Sequence, residues 1–533
     1  MLPQLVMAAA LGPTARLTRQ QQANLVPDYP TAPAGNPFVS GWYADPDNEF
    51  YEGEYWVFPT SSFTYAEQTY LDAFSSPDLV NWTKHPNILT TKDVKWATEA
   101  VWAPAPIARN GKYYLYFGAN DIQEDEDANN TKVGGIGVAV ADRPEGPYID
   151  AIGAPLIGHY YNGAQPIDQD VFIDDDGQAY IYYGGHSHAN VAKLNEDMIS
   201  IGYLDGGSNG TANSTRTQYK EITPENYTEG SQMIKRNGTY YFMWSEGGWG
   251  GPDYSVSYAM ADSPLGPFER KAKILQQDDA VATGSGHHGV IHVPDTEIYY
   301  IVYHRRPLTE TDGNHRVLAY DRMYFNEDGT IAPVKMLVHD NFADGNSIGW
   351  KMYGDKVDNW TVAGQHLVGV CKGDGLAMLD TNFTDLVINA TVAVSNGTSE
   401  RSDAGLVFRA TNLGAGATLD SPFNGTGAET ATGPAVFNGY YAGISAAGYV
   451  VLGKYGDNGT MTTLGQASVS RLQAAADYKM SVTAVGSDIK VYLGNTDTAL
   501  ITATDSTYTS GANGVAVHAA AGLFGNVSVD KPT

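Results

Sequence analysis

Residues 166–185 read PIDQDVFIDDDGQAYIYYGG. Val171, Phe172 and Ile173 make one extended run, Ala179 to Tyr183 a second, and Asp174-Asp175-Asp176-Gly177 lies between them. β-branched and aromatic residues on both sides of an Asp-Gly pair spell a β-hairpin, because glycine takes the turn's left-handed backbone without a Cβ clash. Asp168 stands just ahead of the first strand, nine residues before the turn glycine.

The same unit recurs. Tyrosine-rich second strands begin at Gly53 (GEYWVF), Gly111 (GKYYLYF), Gly177 (GQAYIYY), Gly238 (GTYYFMW) and Glu297 (EIYYIVY), with starts 58, 66, 61 and 59 residues apart. A period near 60 residues, each holding a hairpin and further strands, predicts a five-bladed β-propeller. Eight to ten residues before each hairpin turn stand Asp45, Ala103, Asp168, Glu229 and the pair His287-His288. Innermost propeller strands converge on a central channel, so these positions are expected to face one another across it. A single Asp before a strand is ordinarily a turn or capping residue; three carboxylates in one repeat register are not explained that way.

From Val338 the long repeat stops. DNFADGNSIGW (340–350) opens a segment with alternating strands such as LVINATVAV and NGVAVHAAAGLFGNVSV, which predicts a β-sandwich. The expected organisation is therefore a non-periodic, flexible segment 1–26, a propeller 27–338 and a sandwich 339–533, an all-β chain. Two long inserts, GANDIQEDEDANNTKVGG in the second unit and DGGSNGTANSTRTQ in the third, read as loops that shape the channel mouth or as solvated surface.

With 32 basic against 60 acidic side chains the formal charge is -28, which excludes a phosphate-tracking surface and argues against nucleic acid or an anionic membrane as partner. No apolar run reaches the ~18 residues of a membrane span. Cys371 is the only cysteine, so no internal disulfide or cysteine metal site is available, and it reads as a small buried hydrophobe. LVMAAALG (5–12) resembles the apolar core of a secretion signal without its basic leader. With sequons such as Asn81, Asn213, Asn237, Asn382 and Asn458, it leads to the expectation of a secreted glycoprotein. The protein is expected to be a monomer.

Converging carboxylates in a wet cavity suit glycosidic-bond hydrolysis: one acid protonates the departing oxygen, another carboxylate activates water or attacks the sugar carbon, and a third tunes the acid. Competing chemistries lack their residues. There is no His-Glu-x-x-His, and no Gly-x-x-x-x-Gly-Lys followed by the Ser or Thr of a phosphate loop. GSGHHG has Thr283 where a nucleophile elbow needs glycine, and Phe172 occupies the first ligand position of an EF-hand reading of the DDDG turn. No organic cofactor is expected. Glu246, in SEGGW, is the rival acid, but it follows its hairpin instead of preceding it.

Tyr43-Ala44-Asp45-Pro46, Val101-Trp102-Ala103-Pro104, Ile167-Asp168 before FIDDDG, Thr228-Glu229-Gly230 and Gly286-His287-His288 cover all five units in order. On these motifs the stretch from Val26 to Val338 resembles glycoside hydrolase family 43, five-bladed propellers that release arabinofuranose or xylose with inversion. The resemblance implies Asp45 as general base, Glu229 as general acid and Asp168 as the residue that tunes and orients the acid. It also implies that Arg316 approaches the sugar and carboxylates, and that His287 holds a central ion or its water shell. A cation beside His287 is expected, Ca²⁺ first, because the surrounding ligands would be mostly oxygen. Gln169 departs from the family's usual proline and is expected to loosen the anchor of Asp168. Trp102 and Trp249 are candidates to stack on sugar, with core packing the alternative for each. The C-terminal segment resembles concanavalin-like sandwich modules, whose loops can wall a substrate cleft.

The layout most resembles fungal enzymes that remove 3-linked arabinose from doubly substituted xylose. The expected activity is thus an exo-acting α-L-arabinofuranosidase on arabinoxylan. The alternatives are a β-xylosidase using the same carboxylates, and a non-catalytic carbohydrate-binding propeller, which would have no need of the triad.

Overall fold

The computed structural model describes residues 35–204, 217–354, 360–395, 402–414, 428–432, 437–445, 447–456, 459–469, 472–473, 475–494 and 497–532. The N-terminal segment 1–26 and most of the third-unit insert lie outside them, as do Asn213 and Asn458.

The quoted stretch is a hairpin. Asp170–Ile173 pairs antiparallel with Ala179–Tyr183, in the register Tyr182 opposite Asp170 and Ala179 opposite Ile173. Gly177 closes the turn at φ +84°. Because strand side chains alternate, Tyr180 and Tyr182 join an apolar cluster with the following blade, while Ile181 and Tyr183 join one with the preceding blade. Both faces of the strand are covered by neighbouring blades, so its sequence is apolar without alternation.

Five such sheets form a propeller. Blades I to IV have four antiparallel strands each and blade V has three. Their innermost strands are Tyr43–Tyr51, Trp102–Arg109, Asp170–Ile173, Glu229–Arg236 and Thr283–His292. The seams I/II, II/III, III/IV and V/I each hold a separate apolar cluster. The ring closes through a side chain. Asn36 donates its amide to the Tyr320 carbonyl and accepts the Tyr320 N–H on the outer strand of blade V, at 3.0 and 3.1 Å. An asparagine amide carries the donor and acceptor that a backbone pair would supply.

Among the described residues, the C-terminal part forms two eight-stranded sheets packed face to face. Its first strand, Val338–Asp340, pairs with the last, Ala521–Asp530, so residue 338 belongs to the sandwich sheet. The IV/V seam runs without a break into the sandwich core, which contains Trp350, Phe383, Leu406, Phe524 and Cys371. Cys371 is buried, as expected of a small hydrophobe. The second-blade insert folds as a short helix, Glu124–Ala128.

Candidate active site

At the mouth of the channel four of the five inner strands, all but that of blade III, break their register in the same place. The pairing skips between Ala44 and Asp47, Trp102 and Ala105, Glu229 and Gln232, and Gly286 and His288. The residue just inside each break has left-handed backbone: Asp45 (φ +46°), Ala103 (+42°), Gly230 (+68°) and His287 (+39°), with Asp168 (+53°) in blade III. A β-bulge re-aims the side chain it carries, and non-glycine residues held at positive φ concentrate at functional sites. This refines the sequence register. In blade IV glycine takes the bulge, and Glu229 sits one step earlier, at the place of Ala44, Trp102 and Gly286.

The bulges, with the left-handed turn at Asp168, bring Asp45, Asp168 and His287 together. His287 Nδ1 lies 3.4 Å from Asp45 Oδ1 and 3.4 Å from Asp168 Oδ2. Asp45 Oδ1 also accepts from Arg316 Nη1 at 3.1 Å, and the Asp45 N–H donates to His304 Nδ1 at 3.1 Å. Burial alone would raise the pKa of Asp45, but Arg316 foremost, with His287 and His304, holds it far below the usual carboxylate range. Burial pushes His304 down to about 3, so its ring is neutral.

The other two carboxyls shift the opposite way. Burial, then the charge of Asp45, lifts Glu229 to about 7, against the opposing effect of Tyr254, whose hydroxyl donates to Oε1 at 2.9 Å. Burial and the neighbouring Glu229 and Asp45 raise Asp168 well above its ordinary value. The backbone N–H of Gly230, the residue next to Glu229, acts on Asp168 in the opposite direction and so couples blade III to the acid's backbone. The site therefore holds one carboxylate kept ionised and a coupled pair that retains a proton near neutral pH.

Arg316 is buried and doubly held. Its Nε donates to Ser62 Oγ at 2.9 Å, and its carbonyl accepts the Tyr43 N–H at 2.8 Å. Trp249 lies over it, 5.0 Å from guanidinium carbon to ring centre. Trp102 is half-buried, edge-on to the exposed Tyr65 at 4.9 Å. Its indole occupies the space left by Gly118 on the paired strand, where a Cβ would come within 2.4 Å of Nε1. Neither tryptophan belongs to an apolar core cluster.

Glu246 points away from the channel, bonded to Arg270 through both carboxyl oxygens, with Lys273 at 3.7 Å. Gln169 corrects the expectation of a loosened anchor: its amide donates to the Ala103 carbonyl at 2.5 Å and stitches blade III to blade II. For the expected cation, the described residues contain no group of three or more His, Cys, Asp or Glu placed to hold a metal ion. The Nδ1 of His287 faces two carboxylates, which leaves Nε2 as the nitrogen a hydrated ion could meet. Sequence reading missed Tyr254, His304, Ser62 and Tyr65. His304 alone had a signal, since it stands opposite Gly286 in the hairpin that carries His287.

The profile of the Glycosyl hydrolases family 43 matches residues 34–331, more than half of the chain. The chain belongs to glycoside hydrolase family 43. It is 46% identical over 333 residues to the Beta-D-galactofuranosidase xynD of Aspergillus niger, covering 60% of this chain and 90% of that protein. To the Arabinoxylan arabinofuranohydrolase of Paenibacillus polymyxa it is 29% identical over 346 residues, covering 55% of this chain and 50% of the other. Among solved structures, an alpha-L-arabinofuranosidase from Clostridium thermocellum is 31% identical with a TM-score of 0.44, covering 56% of this chain and 95% of that one. As a family 43 protein the chain is a glycoside hydrolase.

Proposed function

We propose that this family 43 enzyme is an inverting, exo-acting furanosidase that removes α-L-arabinofuranosyl side chains from arabinoxylan, with 3-linked arabinose on doubly substituted xylose preferred. The observation that carries it is the opposed state of two carboxyls in one cavity, Asp45 kept ionised and Glu229 lifted to about 7. Asp45 takes a proton from water as the water oxygen bonds to the anomeric carbon. The bond from that carbon to the leaving oxygen breaks, and the Glu229 proton passes to that oxygen. Asp168 keeps Glu229 in place and protonated, and Arg316 keeps Asp45 charged. For this path the two carboxyl groups should stand roughly 6.5–9.5 Å apart. We also propose that the enzyme is secreted, which the exposed sequons at Asn81, Asn237 and Asn382 support.

A second reading, a β-D-galactofuranosidase, is favoured by the name of the 46% identical relative. The two sugars share one furanose ring configuration and differ by the extra hydroxymethyl group of galactofuranose. A β-xylosidase is the third. Aryl α-L-arabinofuranoside, β-D-galactofuranoside and β-D-xylopyranoside, with branched arabinoxylan oligosaccharides, separate them. The expected result is arabinose release from both aryl and branched substrates, with little xylose from xylobiose. Faster galactofuranose release, or xylobiose cleavage without arabinose release, overturns the substrate assignment.

A further inference from the structure

Residues 307–315 connect the last two strands of blade V, Tyr299–Arg306 and Val317–Met323, and lead directly into Arg316. The loop is braced internally. His315 and Glu310 pair at 2.6 Å, the His315 N–H donates to the Asp312 carbonyl at 3.1 Å, and Asp312 accepts the Asn314 N–H at 2.8 Å. At its inner end Asn314 accepts Ser62 Oγ at 2.6 Å, and the His315 ring stacks on Trp42 at 4.4 Å. Gly313 lies so close to Trp249 that a Cβ there would stand 3.1 Å from the indole. The loop is thus one body that supports Trp249 and runs into Arg316, which is itself held by Ser62, Asp45 and Tyr43 of blade I.

At its outer end the loop meets the sandwich. Asp380, on the strand Asp374–Phe383, accepts both the backbone N–H and the hydroxyl of Thr309 on the same oxygen, Oδ2, at 3.0 and 2.9 Å. Behind this tie lies a cavity of about 130 Å³ at the seam, lined by Arg305, Thr309, Glu310 and Asp380 among others. A braced loop backed by open space is held there by its hydrogen bonds more than by packing.

We propose that Asp380 is a positioning residue through which the sandwich holds the 307–315 loop, and with it Trp249, at the wall of the substrate mouth. This rests on the reading of the channel as the place of glycoside hydrolysis, but not on which sugar is released. Asp45, Glu229 and Arg316 keep their own strand and blade contacts when the loop loosens, so the effect falls on substrate binding.

The test uses the full-length protein and whichever aryl glycoside of the panel above the wild type hydrolyses fastest. Asp380→Ala should raise KM about fivefold with kcat within about twofold. Asp380→Asn should restore KM to within about twofold, because one amide oxygen can accept both Thr309 hydrogens as Oδ2 does. The double variant D380A/T309A should be no worse than D380A, the non-additivity of a shared contact. Lys531→Ala, which cuts the separate seam contact to Asp278 at 2.7 Å, should change neither constant. An unchanged KM in D380A, an equal KM rise in K531A, or a D380A defect that D380N does not repair overturns the proposal. Which sugar is released bears on the functional reading alone.

Discussion

Blade IV carries two glutamates in opposite surroundings, Glu229 half-buried at the channel and Glu246 buried beside the sheet. Glu229 stands at the channel end of the innermost strand, with Tyr254 as hydrogen-bond donor and ionised Asp45 nearby. Glu246 stands at the end of the next strand, clasped by Arg270 and within 3.7 Å of Lys273. Burial alone does not make a buried carboxyl an acid catalyst. The neighbours decide: nearby negative charge favours the protonated form of Glu229, whereas both carboxyl oxygens of Glu246 are taken up by Arg270 and cannot reach a substrate. The register break at Gly230 sets which neighbours Glu229 meets, while Glu246 pairs in regular register with Ser255.

The largest effect should come from emptying the channel side of this contrast. Asp45→Ala, Asp168→Ala and Glu229→Ala should each lower kcat by at least about 10²-fold, while circular dichroism and the unfolding midpoint stay near wild type. Loss of fold, not of turnover, in these variants would mean that the carboxyls hold the propeller together.

A smaller effect tests how Glu229 is tuned. Turnover needs Asp45 ionised and Glu229 protonated. The kcat/KM profile should therefore be level on the acid side and fall about tenfold per pH unit above about 7, as Glu229 loses its proton. The Tyr254 hydroxyl bonds the ionised form and favours it, so Tyr254→Phe should raise the Glu229 pKa. The alkaline limb should then move to higher pH by about one unit. A shift to lower pH would show that Tyr254 sustains the protonated form instead.

The smallest effect on turnover belongs to the other glutamate. Glu246→Ala should leave kcat per folded molecule within a few-fold of wild type and lower the unfolding midpoint, because Arg270 is left partly buried without its partner. Inactivity equal to that of Glu229→Ala would exchange the two roles.

The five hairpins, their period and the candidate carboxylates Asp45, Asp168 and Glu229 are legible in the amino-acid sequence. Those signals are local: a turn glycine, strand-forming residues and a fixed offset between them lie within one unit of about 60 residues. The sequence also pointed away from Glu246 through the order of acid and hairpin. The fold alone shows that Glu229 precedes its bulge while Asp45 and His287 occupy theirs and Asp168 takes left-handed backbone just ahead of its strand, since that depends on how each inner strand meets its partner. The groups that set the protonation states come from far along the chain, His304 259 residues and Arg316 271 residues beyond Asp45. Gln169 reads as a departure in sequence and becomes a tie between blades once Ala103 stands opposite it. Asp380 is an unremarkable strand residue until the sandwich is laid against blade V. Charge and hydrogen bonding act through space over a few ångströms, so their partners become visible only when ring closure and the seam bring distant segments together.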